Sequence, residues 1–462
     1  MKLINISFKN IFAGLTLMAI VVISSCKKYV EIPVAPSLLS NAEAFSSDSS
    51  ATSAVLSIYS TYVTYNAAQY ITYAGGLAAD ELQNTKSDPQ LGQFSKNQVL
   101  KTNSYLDSFL WADPYILIRY CNLSVSQIAV STGMSQAAKS QLTGEAKFMR
   151  AWNFFYLVNY FGAVPLSLDA TPLNNGQLPR AATADVYNQI IADLKDAQSL
   201  LPAAYAGNSA HRSRANKWAA AALLARVYLY TKDYADAKTE AALVINSGMY
   251  TMPDLNSAFI NTSTEAIFQF ANVKGISKVG SIYRTDPAGN TVAPPAYVLY
   301  PGFVKSFEAG DNRKKDWVDS TTYNNTTYYR INKYKLADQS QGTNEYDVVL
   351  RVAEQYLIKA EAEAQLNDVT DAQADLNVVR TRAGLPNTTA STQETLLTAI
   401  LNERKVEFFG EYGHRWFDLI RTGQADVVLG ALKTTWSATA TLLPIPQSEI
   451  QLNPNLTQNP GY

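Results

Sequence analysis

Apolar positions along the chain recur mostly at helical spacing. From Asn41 the pattern turns helical, with Ala44, Val55, Ile58, Tyr59 and Tyr62 on one face at separations near three and four. Residues 66–104 are polar and glycine-containing and predict irregular structure. A second helix is predicted over 111–128, entered after Asp113-Pro114, because proline fits a first helical turn. The strongest helix covers 144–161, where Phe148, Trp152, Phe155, Tyr156 and Asn159 share one broad face. Gly162 stops it, and Val164-Pro165 turns the chain away. Residues 183–201 form another amphipathic stretch, with Thr183 and Asp185 available as caps and Pro202 beyond its end.

The span 214–249 reads as two apolar helices joined at Lys232-Asp233-Tyr234. Leu224, Ala225 and Tyr228 before the turn and Ala237 after it match the spacing of a 34-residue tetratricopeptide unit. Small side chains at those two alanine positions let paired helices approach closely. A weaker copy lies at 350–386, with Ala360 and Ala372 at the small positions, Leu376 and Val379 at the later apolar ones, and Pro386 after the end. One such unit cannot bury its own face, so further drifted repeats are expected, with 144–161 and 183–201 as partners. Between the two copies, residues 251–349 lose helical periodicity and are rich in Gly, Pro, Asn, Thr and Tyr. Tyr297, Tyr300, Trp317, Tyr323, Tyr328, Tyr329 and Tyr334 fall there, on expected loops and short strands. Insertions between solenoid units commonly carry binding. The fold class predicted is mainly α: about four tetratricopeptide-like helix pairs with a loop-rich, ligand-facing insertion.

The first 25 residues stand apart. Lys2 and Lys9 precede an apolar run at 11–23 that is too short to span a bilayer comfortably. Ile23-Ser24-Ser25-Cys26 then reads as a lipobox, in which small residues flank the scissile bond and the cysteine thiol takes a diacylglyceryl group. Residues 1–25 are therefore read as a lipoprotein signal peptide, Cys26 as the lipidated first residue, and 26–40 as a tether containing two prolines. The remainder, 41–462, is read as a single domain: a helical part 41–250, the insertion 251–349, and a C-terminal repeat and cap 350–462.

Composition narrows the function classes. Lysine plus arginine, 38, nearly equals aspartate plus glutamate, 39, which gives nucleic acid no electrostatic footprint. Cys121 is the only cysteine besides Cys26, so no disulfide framework exists; its apolar surroundings mark it as a small buried hydrophobe. The two histidines, His211 and His414, and the lack of G-x-S-x-G, H-E-x-x-H or a glycine-rich phosphate loop leave no motif for nucleophilic, zinc or phosphoryl chemistry. Glu403, Glu407, Glu411, His414 and Asp418 recur at helical spacing, but Gly410 and Gly413 interrupt the stripe and Arg404, Lys405, Arg415 and Arg421 are interleaved. That pattern predicts a corner locked by ion pairs rather than a metal site. Asp80, Glu81 and Asp311 are the carboxylates open to nomination for glycoside hydrolysis; none is assigned a catalytic role. No cofactor and no metal are assigned.

The unusual count is tyrosine, 28 of 462. Aromatic rings stack on the C–H faces of sugars, while amides and carboxylates take the hydroxyls. The expected ligand contacts come from two segments brought together by the fold. One supplies Asp80, Glu81, Asn84 and Tyr105. The other, the insertion, supplies Tyr297, Tyr300, Trp317, Tyr323 and Tyr328. Trp111, in a helical context, is assigned to the core.

Five blocks in order carry a resemblance. They are GEAKFMRAWNFFYLVNYFGAVPL (144–166), RANKWAAAALLARVYLYTKDYADA (214–237), RVAEQYLIKAEAEAQL with DLNVVRTRAGLP (351–386), ERKVEFFGEYGHRWFDLIRTG (403–423) and LLPIPQSEIQLNPNLTQNPGY (442–462). The chain resembles the SusD/RagB family of Bacteroidetes surface lipoproteins over essentially its whole mature length. It departs slightly at Tyr412-Gly413-His414, where the family usually has Glu-Gly-x. The resemblance implies a nonenzymatic binder anchored outside the outer membrane through its N-terminal lipid, delivering oligosaccharides to a TonB-dependent, SusC-like transporter. It also implies a groove built from variable loops, and some members take peptides or other glycoconjugates. Two other readings stay open: a surface glycosidase with two converging carboxylates, and a repeat scaffold that binds only protein.

Overall fold

The computed structural model describes residues 40–171, 176–207, 211–272, 274–283, 294–336 and 344–462. Cys26 and residues 27–39 lie outside the described residues. Among the described residues no helix is long and apolar enough to cross a membrane. Residues Phe45–Tyr462 form one compact unit.

Twelve of the helices among the described residues frame the unit. They are α1 (Asp48–Thr64), α2 (Ala67–Ala78), α3 (Pro89–Ser95), α4 (Asp113–Val130), α5 (Gln136–Phe161) and α6 (Thr183–Leu200), followed by α7 (Lys217–Tyr230), α8 (Tyr234–Ile245), α9 (Val352–Gln365), α10 (Val369–Arg382), α11 (Gln393–Glu407) and α12 (His414–Arg421). From α4 to α11 each helix packs on its predecessor, a staircase of eight helices equivalent to four pairs. Capping sets the hairpins: the Asn216 side chain accepts from Ala219 N to start α7, and Asp233 accepts from Asp236 N to start α8. The cap proposed for α6 is absent, since Ala182 holds that position with no side-chain bond.

Small residues at the crossings allow close packing. Every residue of α7 from Ala219 to Tyr230 is buried. Ala353, Leu357, Ala360, Ala364, Ala372, Leu376, Val379, Leu396, Ile400 and Phe408 form the core of the later repeat. Arg226, 1 % exposed, joins the two copies by donating from Nε to Glu354 on α9 over 2.6 Å. Cys121 is buried, and Trp111 is interior.

The insertion folds back onto this frame through short antiparallel ladders. β1 (Leu82–Asn84) pairs with β3 (Tyr297–Leu299), and β2 (Ala266–Phe270) pairs with β6 (Asp347–Arg351). β4 (Val318–Tyr323) and β5 (Thr326–Ile331) make a hairpin. Its two turn residues, Asn324 and Asn325, both have positive φ, 48° and 59°. Asparagine tolerates that conformation, and such a turn matches the twist of the flanking strands.

The region 66–104 is more regular than its polarity suggests, because it contains α2, α3 and β1. Gly75 and Gly76 are not helix breakers here. A Cβ on Gly75 would sit 2.4 Å from Gly413 Cα, so α2 crosses the Gly410–Gly413 corner backbone to backbone. Gly75→Ala is expected to lower stability by about 1–3 kcal/mol through overpacking, despite alanine's better helix propensity. A fall in the urea midpoint at constant slope would show this; an unchanged midpoint would mean the two backbones part freely.

The Glu403–Asp418 stripe is broken into α11, a corner and α12, with Gly410 and Gly413 both at φ 72°. It is locked by ion pairs, but the partners come largely from elsewhere. Glu403 meets Arg313 and Arg380; Glu407 meets Arg313, Arg351 and Arg382; Glu411 meets Lys333 and Arg351. Only Asp418 takes the interleaved residues Arg404 and Arg421. His414 is buried, and burial together with the surrounding cations holds its imidazole well below the usual range, neutral.

Candidate ligand platform

Helical spacing puts Tyr70 and Tyr73 side by side on α2. Ahead of α4 the chain takes a π-helical turn at Leu106–Ala112, which buries Leu106, Leu110 and Trp111 and leaves Phe109 part-exposed. Single π-turns of this kind re-aim side chains and recur at functional sites. Tyr105 precedes the turn, and Tyr297 opens β3. These five part-exposed rings converge. Tyr70 stacks on Phe109 at 3.5 Å between centroids, Tyr73 meets Tyr297 at 4.5 Å, and Tyr105 lies 5.5 Å from Tyr70 and 5.6 Å from Phe109. The β1–β3 ladder delivers Tyr297 to this place by pairing it with Asn84.

Polar groups brace the platform. Asp88 caps α3 through Oδ1, which accepts from Gln90 N and Leu91 N, while Oδ2 accepts from the Tyr105 hydroxyl over 3.2 Å. Buried Asn103 locks the adjoining turn: its Nδ2 donates to Gln90 O and Gln93 Oε1, and its Oδ1 accepts from Tyr105 N and Leu106 N. Burial raises the Tyr70 and Tyr105 hydroxyls, with further upward pushes from Tyr105, Asp113 and Asp88 on Tyr70. It pushes Tyr297 up to about 12. The phenols therefore stay neutral and can donate and accept. Burial lifts Asp113 to about 6. The arrangement offers aromatic faces rimmed by hydroxyls and carboxylates. Among the described residues no lysine or arginine lies over any of the five rings.

Of the contacts expected from sequence, Tyr105 and Tyr297 meet in the platform. Asn84 lies opposite Tyr297, with Oδ1 accepting from Lys86 N. Tyr300 is half-buried beyond the end of β3, its backbone N–H donating to Glu81 O. Tyr323 and Tyr328 are part-exposed and share one face of the β4–β5 hairpin, as their register with Thr326 and Thr321 requires. The strand carrying Tyr328 runs against β3.

Three assignments need correction. Asp80 is buried between Arg415 and Lys405, at 2.6 and 2.9 Å. Burial alone would raise its carboxyl, but these cations outweigh it and hold it at about 2. Its charge is committed to tying α2 to the corner. Glu81 is also interior and accepts from Gly410 N over 2.9 Å; burial raises it to about 7. Trp317 is fully buried, its Nε1 donating to Leu255 O and its ring covered by Lys333 at 4.7 Å. All three lie in polar-looking segments that the tertiary fold encloses.

Tyr70, Tyr73, Phe109 and Asp88 are not among the contacts expected from sequence. The spacing of Tyr73 from Tyr70, i to i+3, and of Phe109 from Tyr105, i to i+4, is also the signature of core packing. Among the described residues, Glu363, Asp368 and Asp371 have metal-ligand spacing. Lys238 pairs with Glu363 and Asp368, and Lys359 with Glu363, so ammonium groups already supply the positive charge.

A helical-repeat scaffold with an aromatic platform on its insertion-facing side defines a ligand-binding class of protein. Residues 296–462 match the model described as "SusD family", and residues 43–229 match one described as "Starch-binding associating with outer membrane". The chain belongs to the SusD/RagB family. It is 25 % identical to SusD-like protein P38 of Formosa agariphila, over 98 % of this chain and 99 % of the relative. A solved "Laminarin binding SusD-like protein" superposes with TM-score 0.75 at 25 % identity, covering 90 % of this chain and 99 % of the other. Surface glycan-binding protein A from Bacteroides fluxus superposes with TM-score 0.76 at 24 % identity, covering 90 % and 99 %.

Proposed function

We propose that the protein binds neutral oligosaccharides on this platform, without catalysis, and hands them to a TonB-dependent, SusC-like transporter in the outer membrane. The observation that carries the binding reading is the convergence of five part-exposed aromatic rings rimmed by Asp88 and tyrosine hydroxyls. Aromatic faces suit the apolar faces of sugar rings, and neutral phenols suit their hydroxyls. A carboxylate rim, with no cation over the rings among the described residues, disfavours uronates and sulfated sugars. The laminarin-binding relative supports a glycan ligand. Family membership supports the transporter as partner and lipid anchoring through Cys26.

Titration of the mature chain against a panel of neutral, uronate and sulfated oligosaccharides tests the reading. Saturable binding of a neutral member without product formation is expected. Preference for an anionic member, or release of shorter sugars, would refute it. For the anchor, Cys26→Ala is expected to leave the protein unprocessed or free of the membrane fraction. Normal processing and retention of that variant would remove the lipid from the account.

A further inference from the structure

Beside the platform, α3 and the C-terminal segment enclose a cleft of about 820 Å³. Its walls include Asp88, Gly92, Gln93 and Lys96 on one side and Thr435 and Tyr462 on the other. This volume is within the ~300–1,000 Å³ range of small-ligand clefts. The two features share a wall. Asp88 lines the cleft with its cap on α3 and holds Tyr105 of the platform by its other oxygen. Gln93 lines the cleft while its Oε1 accepts from Asn103, the residue that fixes the backbone at Tyr105. At the other side the Thr435 hydroxyl donates to Lys96 O over 2.6 Å and binds the C-terminal segment to α3.

Gly92 is the position at which the cleft can be filled. It sits within α3, where glycine costs about 0.5–1 kcal/mol relative to alanine. A Cβ placed there would meet nothing within 4 Å. Neither packing nor backbone conformation demands glycine at this position, so a side chain placed there would project into open space and can fill the cleft.

We propose that this cleft is a second subsite. It receives the continuation of a neutral glycan whose first sugars lie on the tyrosine platform, and so selects longer oligosaccharides over disaccharides. The inference rests on the glycan-binding reading above, and the test separates the two. The mature chain is titrated with ladders of neutral glucan, mannan, xylan and galactan oligosaccharides from disaccharide to octasaccharide. Wild-type affinity for the bound ladder is expected to rise by about ten-fold or more with length. Gly92→Trp, which fills the cleft, should abolish that rise and leave disaccharide affinity unchanged, whereas Gly92→Ala should retain it. Gly92→Leu serves as the second filling variant if Gly92→Trp melts at lower temperature than wild type. A rise that survives both fillings, or no rise at all, overturns the subsite while leaving the platform intact. Failure of the wild type to bind any ladder overturns both.

Discussion

Removing two rings of the platform together, Tyr105→Ala with Tyr297→Ala, is expected to weaken oligosaccharide binding by about a hundred-fold or more. Each ring that stacks on a sugar contributes roughly 1–3 kcal/mol by area removed from water, and two such losses compound. The rings belong to different parts of the chain, one beside the π-helical turn and one on β3, so the double variant removes both sides of the platform. Both are part-exposed, and the scaffold core does not depend on them. The thermal midpoint should therefore fall by only a few degrees while calorimetric titration loses its signal. Unchanged affinity in a folded double variant would place the ligand elsewhere and leave the tyrosine excess as packing. By contrast, Trp317→Ala is expected to damage the interior, since its ring is fully enclosed.

The second large effect is on stability. Glu407 lies at the centre of a buried network, facing Arg313, Arg351 and Arg382, while Arg351 and Arg382 also hold Glu265. Glu407→Gln would strand guanidinium groups out of water with one counter-charge removed. A loss of about 3–5 kcal/mol is expected, as for other broken buried pairs. Urea unfolding followed by circular dichroism measures it. Burial alone would raise the Glu407 carboxyl, but the three arginines reverse that and hold it well below its ordinary value of 4.5. The pH dependence follows from that direction. A depressed folded-state pKa contributes its full stability above the unfolded value and loses it as pH falls. Wild type should therefore weaken more steeply than Glu407→Gln below about pH 4.5. Parallel pH profiles would show that the charge of Glu407 contributes nothing.

Much of the scaffold could be read from the chain because helices report themselves locally. The alanines at 225, 237, 360 and 372 and Gly162 act within a turn or two of their own position. The platform was only half legible. Tyr105 and Tyr297 stand out as aromatics in irregular sequence, but Tyr73 and Phe109 have the periodicity of a helix core. Nothing local says that the face they share stays open. Asp80, Glu81 and Trp317 show the converse. Charge and an irregular setting suggest exposure, yet partners hundreds of positions away, such as Arg415 for Asp80, draw them inside. The ion-paired corner was predicted in kind, but its partners were not, because Arg313 and Lys333 arrive through the insertion and Arg351 from the end of β6, just past it.

The β1–β3 ladder also bears on when the protein becomes functional. Beside that ladder the Thr85 hydroxyl bonds to Pro295 O, a contact between residues 210 positions apart. Loops of that length close slowly compared with the formation of a helix hairpin. The repeats at 217–245 can form during synthesis or export, but the platform cannot exist until the chain has delivered Tyr297. Competence to capture a ligand should thus be among the last properties acquired on refolding. Recovery of binding in a stopped-flow experiment would trail the recovery of helical signal, and a chain still threading across a membrane would carry no ligand with it.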